Sequence, residues 1–465
     1  MKSIAFLLIS FVFLLCGCES EKAPLHPSDV IRSITAHVQE DNALRVDIGI
    51  DFKQPVDYSV SYWKPGDEER ARNTEPLAAE GKHTTTLIFL EPDTEYCFRI
   101  LVKTDTDTVE SDTYTFRTRS LPGEIPPFEV IRDELTESLP GYLLMARMDK
   151  KPGFILFTNL EGKVVWYHLT PGTTVQTASY DPIHRTVQCI TGTHPTQNYA
   201  CEGMMVIDLY GKVLLRKDIS HIYPHHDIKR MPDGNLVMVH FVPKTCNLSA
   251  FGGGKEDVVM GDGILVMNMQ GETVWQWDCF SVMNPEEDAD IIRPVEGLLP
   301  DKRKDWLHVN SVSYDEQGNF YLTSNWLSQL WKIERTTGQL VYRLGKGGTL
   351  SMNEEEYMSG VHDSTPLAPD RVMVFDNGMA ATQSRISIFT VNPSSQEVVD
   401  SKIINLPPQF KSPFQGSISL ADENLLIANC SLSNSILFMD LEGNVKRVIQ
   451  TGYRVYRADY VETDY

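Results

Sequence analysis

A short hairpin signature recurs six times between residues 161 and 445, at intervals of about 50 to 65 residues. Each copy has a turn, with glycine in all but the fifth, followed by apolar residues that can continue a strand. The copies are Glu161–Trp166, Tyr210–Leu214, Gln270–Trp275, Thr337–Tyr342, Ser395–Val399 and Glu442–Val445. Because such a period marks stacked supersecondary units, residues 140–465 are predicted to form a six-bladed β-propeller. A pair of β-sandwiches or a β-helix is the competing interpretation.

Three histidines occupy corresponding places in successive repeats. They are His226, His308 and His362, and each begins a short strand-like run that is followed by a turn. In a propeller the first strand of each blade lines the central channel, and these runs would open the third, fourth and fifth blades. We therefore expect the three imidazoles to meet near one mouth of the channel, where they could perform nucleophilic and acid–base chemistry.

The part of the chain before the propeller has its own strand pattern. Residues 31–120 contain short alternating strands, and the runs Leu90–Ile100 and Thr113–Thr118 resemble a fibronectin type III or related immunoglobulin-like β-sandwich. Residues 121–139, which begin with a Pro- and Gly-rich stretch, are predicted to be a stiff linker. The expected fold class is all-β, with a six-bladed propeller preceded by a small β-sandwich domain.

The first 30 residues predict export. Lys2 precedes an apolar run that is too short to span a membrane, and the run ends at Cys16-Gly17-Cys18. This ending resembles a bacterial lipoprotein signal over residues 1–18, with Cys18 lipidated and residues 19–30 forming a tether. We therefore expect a lipoprotein anchored to a membrane, in the periplasm or at the outer membrane. An ordinary secretory signal is the alternative.

Charge and cysteine content limit the partners. The 465 residues carry a formal net charge of -21, which argues against nucleic acid because phosphate binding needs a basic surface. No CxxC spacing indicates a metal site. The sequence does not fix the oligomeric state, and a homodimer is compatible with it.

The propeller region resembles the bacterial arylsulfate sulfotransferases. The motifs that carry the resemblance are His225–Ile228 with Asp233–Leu236, Asp305–Val312, Thr337–Gly345, Val361–Asp363, and Phe375–Gly378 with Ser384–Arg385. The resemblance implies transfer of a sulfuryl group from a small aromatic sulfate donor to a phenolic acceptor, without a nucleotide sulfate and without a cofactor. It also implies a sulfohistidine intermediate, with His362 as the nucleophile and with His226 and His308 as acid–base and oxyanion-stabilising partners.

The chain departs from the family at one position. Where the family places an arginine that would hold the sulfuryl oxygens, this sequence has Asn325. An amide can donate to one oxygen, but it supplies neither a charge nor a bidentate fork, unless Arg385 or Lys346 reaches the site. Further candidate substrate-binding residues are His225 and Trp326.

Some roles stay open at this level. Asp227 and Asp363 either orient imidazoles or bind backbone amides of turns. Gly452–Ala458 is expected to close the ring by pairing with the first blade. Two other functions are alternatives: a three-histidine metal enzyme, because three histidines can hold a catalytic zinc, and a non-catalytic surface propeller that binds a glycan or a protein.

Overall fold

The computed structural model describes residues 26–463 except 104–107, 137–138, 194–200, 288–292 and 295–303. The predicted signal peptide, including Cys18, lies outside these residues. Within the described ranges the single α-helix is α1 (Pro27–Val30), and none of the helices found there could span a bilayer. Short 3₁₀ helices lie at Glu68–Arg70, Ser220–Ile222, Ser249–Phe251, Cys279–Ser281, Glu354–Glu356, Pro408–Phe410 and Ser431–Ser433.

The chain divides into two compact units. The first unit comprises residues up to 36 together with 48–85 and 96–115, and the second comprises 37–47, 86–95 and 116–465. The strands up to residue 117 are β1 (Ile31–Val38), β2 (Val46–Phe52), β3 (Val56–Trp63), β4 (Arg72–Asn73), β5 (Leu77–Ala79), β6 (Lys82–Leu87), β7 (Glu95–Lys103), β8 (Thr108–Glu110) and β9 (Tyr114–Arg117).

The first unit is a small β-sandwich. One sheet has the order β1-β2-β6, and the other has the order β4-β3-β7-β8 with β5 and β9 attached to β3 and β7. Strands β2 and β7 alternate strictly between buried and more accessible residues, as expected when one face of a sheet covers a core. Phe52 of one sheet packs 4.8 Å from Tyr58 of the other, measured between ring centroids.

The second unit contains the remaining strands. They are β10 (Phe128–Asp133), β11 (Tyr142–Ala146), β12 (Gly153–Thr158), β13 (Val164–Thr170), β14 (Thr174–Asp181), β15 (Thr186–Gly192), β16 (Gly203–Asp208), β17 (Val213–Asp218), β18 (Pro224–Arg230), β19 (Leu236–Cys246), β20 (Asp257–Met267), β21 (Thr273–Asp278), β22 (Arg293–Pro294), β23 (Lys304–Asp305), β24 (Val309–Tyr314), β25 (Phe320–Ser324), β26 (Gln329–Ile333), β27 (Leu340–Leu344), β28 (Val361–Ala368), β29 (Arg371–Asp376), β30 (Arg385–Asn392), β31 (Glu397–Asn405), β32 (Ser417–Leu420), β33 (Leu425–Cys430), β34 (Ser435–Asp440), β35 (Val445–Thr451) and β36 (Ala458–Val461).

These strands form six sheets among the described residues, each built on four antiparallel strands. The sheets are β36-β11-β12-β13, β14 to β17, β18 to β21, β24 to β27, β28 to β31 and β32 to β35. Neighbouring sheets contact each other through their innermost strands in the order β14, β18, β24, β28, β32 and β36, and β11 beside β36 contacts β14. The sheets therefore close into a ring, and the predicted six-bladed propeller is confirmed.

The six hairpin signatures connect the two outer strands of each blade. In every case the pairing register shifts by one residue at the hairpin, which is the geometry of a turn followed by a β-bulge. The turn needs one residue with positive φ. Gly271 supplies it at +76°, and in the fifth copy, which lacks glycine, Gln396 adopts +56°.

Ring closure depends on the last strand. Strand β36 pairs with β11 from Tyr142↔Val461 to Met145↔Ala458, so the last strand is the innermost strand of the first blade. The predicted closing segment Gly452–Ala458 lies just before this pairing and overlaps it at one residue. The stretch 121–139, predicted as a linker, contains β10, which pairs with β35 as a fifth strand of the last blade.

Candidate functional site

A cavity of about 250 Å³ is lined by one residue at, or one to two residues before, the beginning of each innermost strand. In the order of the blades from the second to the first, these residues are Gln176, His226, His308, His362, Gln415 and Tyr456. The three histidines predicted to converge therefore line one space, and the ring centroids of His226 and His308 are 5.1 Å apart.

Backbone irregularities turn these side chains toward the cavity. The register shifts between Val175 and Thr177 in β14, between His225 and Ile228 in β18, and between Val361 and Asp363 in β28. A β-bulge re-aims the side chain at the extra residue, so the same device recurs in several blades. His226 and His308 also have positive φ angles of 59° and 52°, a conformation that L-residues seldom adopt and that is concentrated at functional sites.

The tautomer of His362 follows from its neighbour Asn377. The Nδ2 group of Asn377 donates to the backbone oxygens of Ser412 and Gln415 at 2.6 and 2.7 Å, so its Oδ1 atom faces His362. That oxygen can only accept, and it lies 2.6 Å from His362 Nδ1. His362 therefore carries its proton on Nδ1 and its lone pair on Nε2. Burial lowers the pKa of His362 to about 3, so the imidazole is neutral at physiological pH.

His308 is oriented by a carboxylate. Its Nδ1 atom lies 2.5 Å from Asp305 Oδ2, which also accepts a hydrogen bond from Trp326 Nε1 at 3.1 Å. The His308 and Trp326 rings are 4.7 Å apart and inclined by 35°. A carboxylate at Nδ1 places the exchangeable proton site of the imidazole on Nε2, as in other histidines that act as acid and base.

His225 lies behind the cavity rather than in it. Its Nδ1 atom is 2.6 Å from His226 Nδ1, its Nε2 atom is 3.2 Å from Asp262 Oδ1, and its ring stacks on Phe241 with centroids 3.8 Å apart. Burial lowers the pKa of His225 and of His226 well below the usual value. His225 was predicted to contact substrate, but it does not line the cavity and instead contacts His226.

Asn325 and Trp326 line the cavity, but Arg385 does not. Arg385 Nε pairs with Asp376 at 2.7 Å, and the rest of the guanidinium donates to the backbone oxygens of Glu355 and Tyr357. The structure therefore does not bring the predicted cation to the site, and Lys346 is exposed elsewhere.

Asn325 has a structural role that the sequence comparison with the family did not suggest. Asn325, Asn377 and Asn429 are equally spaced along the chain and occupy matching places at the end of the second strand in three successive blades. Each donates Nδ2 to backbone oxygens of the next blade's innermost segment, which are Val361 for the first, Ser412 and Gln415 for the second, and Val455 and Tyr456 for the third. Asn325 Nδ2 is also 3.3 Å from His362 Nδ1, but this contact is not a hydrogen bond, because the proton on Nδ1 is donated to Asn377 Oδ1 at 2.6 Å.

Asp227 and Asp363 bind backbone amides rather than imidazoles. Asp227 accepts from the N–H of Val312 and Asp363 from that of Ile418, each at 3.0 Å, so each carboxylate ties its blade to the next one. Both also pair with the buried guanidinium of Arg457, at 2.8 and 3.2 Å. This cluster forms a charged layer next to the cavity-lining histidines.

The remaining lining is apolar. Met148, Met379 and Phe414 join Trp326 and Tyr456 around the cavity, and the described lining contains no lysine or arginine. Such a space suits an aromatic ring that brings a hydrogen-bonding group to the histidines. In the described chain, no three His, Cys, Asp or Glu side chains are grouped as metal ligands.

The family model for arylsulfotransferase (ASST) matches residues 128–400, which include the three histidines. The chain belongs to the arylsulfotransferase family. Membership indicates an arylsulfate sulfotransferase in general terms, with an aryl sulfate as donor and a phenol as acceptor. No curated protein matches the chain at a significant level.

Solved structures share only a distant likeness with this arylsulfotransferase family member. A protein of unknown function from Bacteroides caccae is 14% identical over 69% of this chain and 99% of its own, with a TM-score of 0.43. Apo AztD from Citrobacter koseri is 13% identical over 70% and 98%, with a TM-score of 0.34. Virginiamycin B lyase from Staphylococcus aureus is 11% identical over 70% and 98%, with a TM-score of 0.33.

Several residues that line or support this cavity were not predicted from the sequence. Gln176, Gln415 and Tyr456 begin the three blades that lack a histidine, so extending the repeat phase to all six blades would have found them. Asp305 stands three residues before His308, and Asn377 lies within a motif that carried the resemblance. Their contacts with the histidines become visible only in three dimensions.

Proposed function

We propose that this protein transfers a sulfuryl group from a phenolic sulfate ester to a phenol through a sulfohistidine on His362, without a nucleotide sulfate. The observation that carries the proposal is the contact between His362 Nδ1 and Asn377 Oδ1. It leaves the lone pair of a neutral imidazole on Nε2, which is what a nitrogen nucleophile requires.

The first half-reaction forms a bond between His362 Nε2 and sulfur while the bond from sulfur to the aryl oxygen breaks. The departing phenoxide takes a proton from His308, whose imidazolium is balanced by the carboxylate of Asp305. A phenol, with a pKa of roughly 10, leaves much more easily than an alkyl alcohol. This difference favours aryl esters.

The second half-reaction reverses these roles. His308, now neutral, removes the proton from the acceptor phenol, whose oxygen attacks sulfur as the bond to His362 Nε2 breaks. By analogy with phosphoryl transfer, negative charge in the transition state spreads over the three equatorial oxygens of the sulfuryl group. Hydrogen-bond donors around these oxygens therefore stabilise the transition states of both steps. His226, beside His308, is placed to donate to one of these oxygens or to share the proton.

The decisive experiment combines turnover with detection of the intermediate. The protein is incubated with p-nitrophenyl sulfate and phenol, nitrophenolate release is followed, and mass spectrometry of the quenched protein tests for a sulfuryl group on His362. His362→Ala should abolish both signals, whereas His184→Ala, at a partly exposed histidine paired with Asp181, should change neither. Turnover that survives His362→Ala would remove the proposed nucleophile.

A binding function is the second candidate, because the described lining of the cavity contains no cationic side chain. A folded protein that turns over no aryl sulfate but binds a glycan or a protein would support it. The three-histidine metal enzyme is tested by metal analysis of protein purified without a histidine tag.

We also propose that the chain is an exported lipoprotein anchored through Cys18 in the periplasm or at the outer membrane. Residues 31–120 would then be an immunoglobulin-like spacer or docking module. Metabolic labelling with palmitate should mark the wild type and not Cys18→Ala, and the variant should move from the membrane fraction to the soluble fraction. Light scattering of the purified protein would test for a homodimer.

A further inference from the structure

A sulfate ester is an anion, and the described lining of the site offers no lysine or arginine to bind its oxygens. Arg457 and Arg385 are already engaged, since Arg457 pairs with Asp227 and Asp363 and Arg385 pairs with Asp376. Anions in proteins are also bound by fixed N–H donors, provided that the donors point at the anion and have no competing acceptor.

Gln176 presents such a donor. Its Oε1 atom accepts the backbone N–H of His226 at 2.9 Å and the thiol of Cys201 at 3.1 Å. A backbone N–H can only donate, so the atom that faces it must be the amide oxygen, and Nε2 lies on the opposite side. Gln176 is 6% exposed and lines the cavity, and its Nε2 atom has no acceptor among the described residues.

Gln415 presents a second side-chain amide on the other side of the three histidines. Its Oε1 atom accepts from the hydroxyl of Ser431 at 2.7 Å, and its backbone oxygen accepts from Asn377 Nδ2. The side chain is 7% exposed and lines the cavity, and within the described part of the chain its Nε2 atom also has no acceptor. Both residues line the cavity, so the two amide donors are open to a ligand there, and a ligand with several acceptor oxygens could accept from both.

We propose that the side-chain amides of Gln176 and Gln415 bind the sulfuryl oxygens of the aryl sulfate, in place of the arginine that the family uses. The inference rests on the proposed function and names the groups that recognise its donor substrate. The two glutamines stand in the second and sixth blades, on either side of His226, His308 and His362. Donors on both sides of a sulfuryl group can follow its equatorial oxygens through an in-line transfer.

The test exchanges each donor for an acceptor of the same shape. Gln176→Glu keeps Oε1 for the His226 N–H but replaces Nε2 with a carboxylate oxygen, and Gln415→Glu does the same beside Ser431. Dissociation constants for phenyl sulfate and for phenol are measured by calorimetry in a His362→Ala background, which prevents turnover. Each substitution should weaken phenyl sulfate binding by about 100-fold, because a charge-assisted hydrogen bond is lost and a repulsion is added, and should change phenol binding by less than about 3-fold.

Cys201→Ala is the matched control. It removes the weaker of the two bonds to Gln176 Oε1 and leaves Nε2 in place, so the affinity for phenyl sulfate should not change. Equal losses for phenol and phenyl sulfate, or an unchanged affinity for phenyl sulfate in both Glu variants, would overturn the inference even if the wild type turns over aryl sulfates. A wild type that neither binds nor turns over phenyl sulfate would overturn both the inference and the proposed function.

Discussion

Asn377 Oδ1 lies 2.6 Å from His362 Nδ1, while the Nδ2 group of the same side chain donates to two backbone oxygens of the last blade. One amide thus links the tautomer of the proposed nucleophile to the packing of the neighbouring blade. Reversing the Asn377 amide would place its Oδ1 atom against the backbone oxygens of Ser412 and Gln415, neither of which can donate, so the two functions are inseparable in this side chain.

Asn377→Ala should slow sulfation of His362 by about 10- to 100-fold, because Nδ1 loses the acceptor that fixes its proton and ring orientation. The measurement is the single-turnover rate with p-nitrophenyl sulfate. Asn429→Ala is the matched control, since Asn429 makes the same bonds to the first blade's segment at 3.0 and 3.2 Å. Both variants should lose about 1 to 3 kcal/mol of unfolding free energy, but only Asn377→Ala should be slow. Equal rates in the two variants would contradict the role assigned to Asn377.

Asp305→Asn should lower the steady-state rate by about 100-fold or more, because an amide can present a donor to His308 Nδ1 and stabilise the wrong tautomer. Trp326→Phe tests whether the shared Trp326 hydrogen bond explains the effect. It removes the indole N–H that donates to Asp305 but keeps a ring near His308. A loss of less than about 5-fold is expected for Trp326→Phe. If the two substitutions had similar effects, the carboxylate would not be acting through His308.

The depressed pKa of His362 predicts a pH-dependent stability. The folded state holds this imidazole neutral down to a pKa of about 3, whereas in the unfolded chain it gains a proton near pH 6.5. The unfolded state therefore binds more protons between these values, and the free energy of unfolding falls as pH decreases. Between pH 7 and pH 5 this histidine should account for a loss of about 2 kcal/mol.

Urea denaturation of the wild type and of His362→Gln at both pH values isolates this contribution. Other buried groups titrate in both proteins, so the comparison is the difference between the two pH-induced changes. His362→Gln should lose about 2 kcal/mol less than the wild type on acidification. Identical losses would show that His362 is not held neutral by the fold.

Arg457→Met should destabilise the propeller by about 3 to 5 kcal/mol at pH 7, because it leaves Asp227 and Asp363 buried without their cation. Arg335→Met is the control, since its pair with Asp233 is partly exposed and should contribute less than about 1 kcal/mol. Chemical denaturation of both variants measures the difference, and similar losses would argue against a structural charge cluster around Arg457.

The architecture was predictable because it repeats. A turn such as that at Gly271 has a local sequence signature, and six copies at one period leave few folds that fit. The fifth copy was the weakest match because it has no glycine. In that copy Gln396 adopts the positive φ that glycine has in the others. The pairing of β36 with β11 was anticipated only approximately, because strand boundaries depend on long-range pairing.

The site was predictable only in part. Convergence of His226, His308 and His362 follows from repeat phase, which is a property of the sequence. The hydrogen-bond partners do not follow, because Asn377 and Arg457 reach across blade boundaries that no local pattern encodes. His225 was predicted to bind substrate, and this was wrong. It is adjacent to His226 in the chain, and its side chain therefore lies on the other side of the bulged strand, outside the cavity lining.

The last strand has a consequence for the timing of assembly. Tyr456, which completes the wall of the cavity, and Arg457, which joins the acidic pair beside it, immediately precede the strand that seals the first blade. A folding intermediate in which β36 is still detached has an open ring and an unfinished pocket. Sulfotransferase activity should therefore appear late during refolding, when β36 pairs with β11 and closes the ring. Until then the histidines would not form a complete site that could react with other molecules.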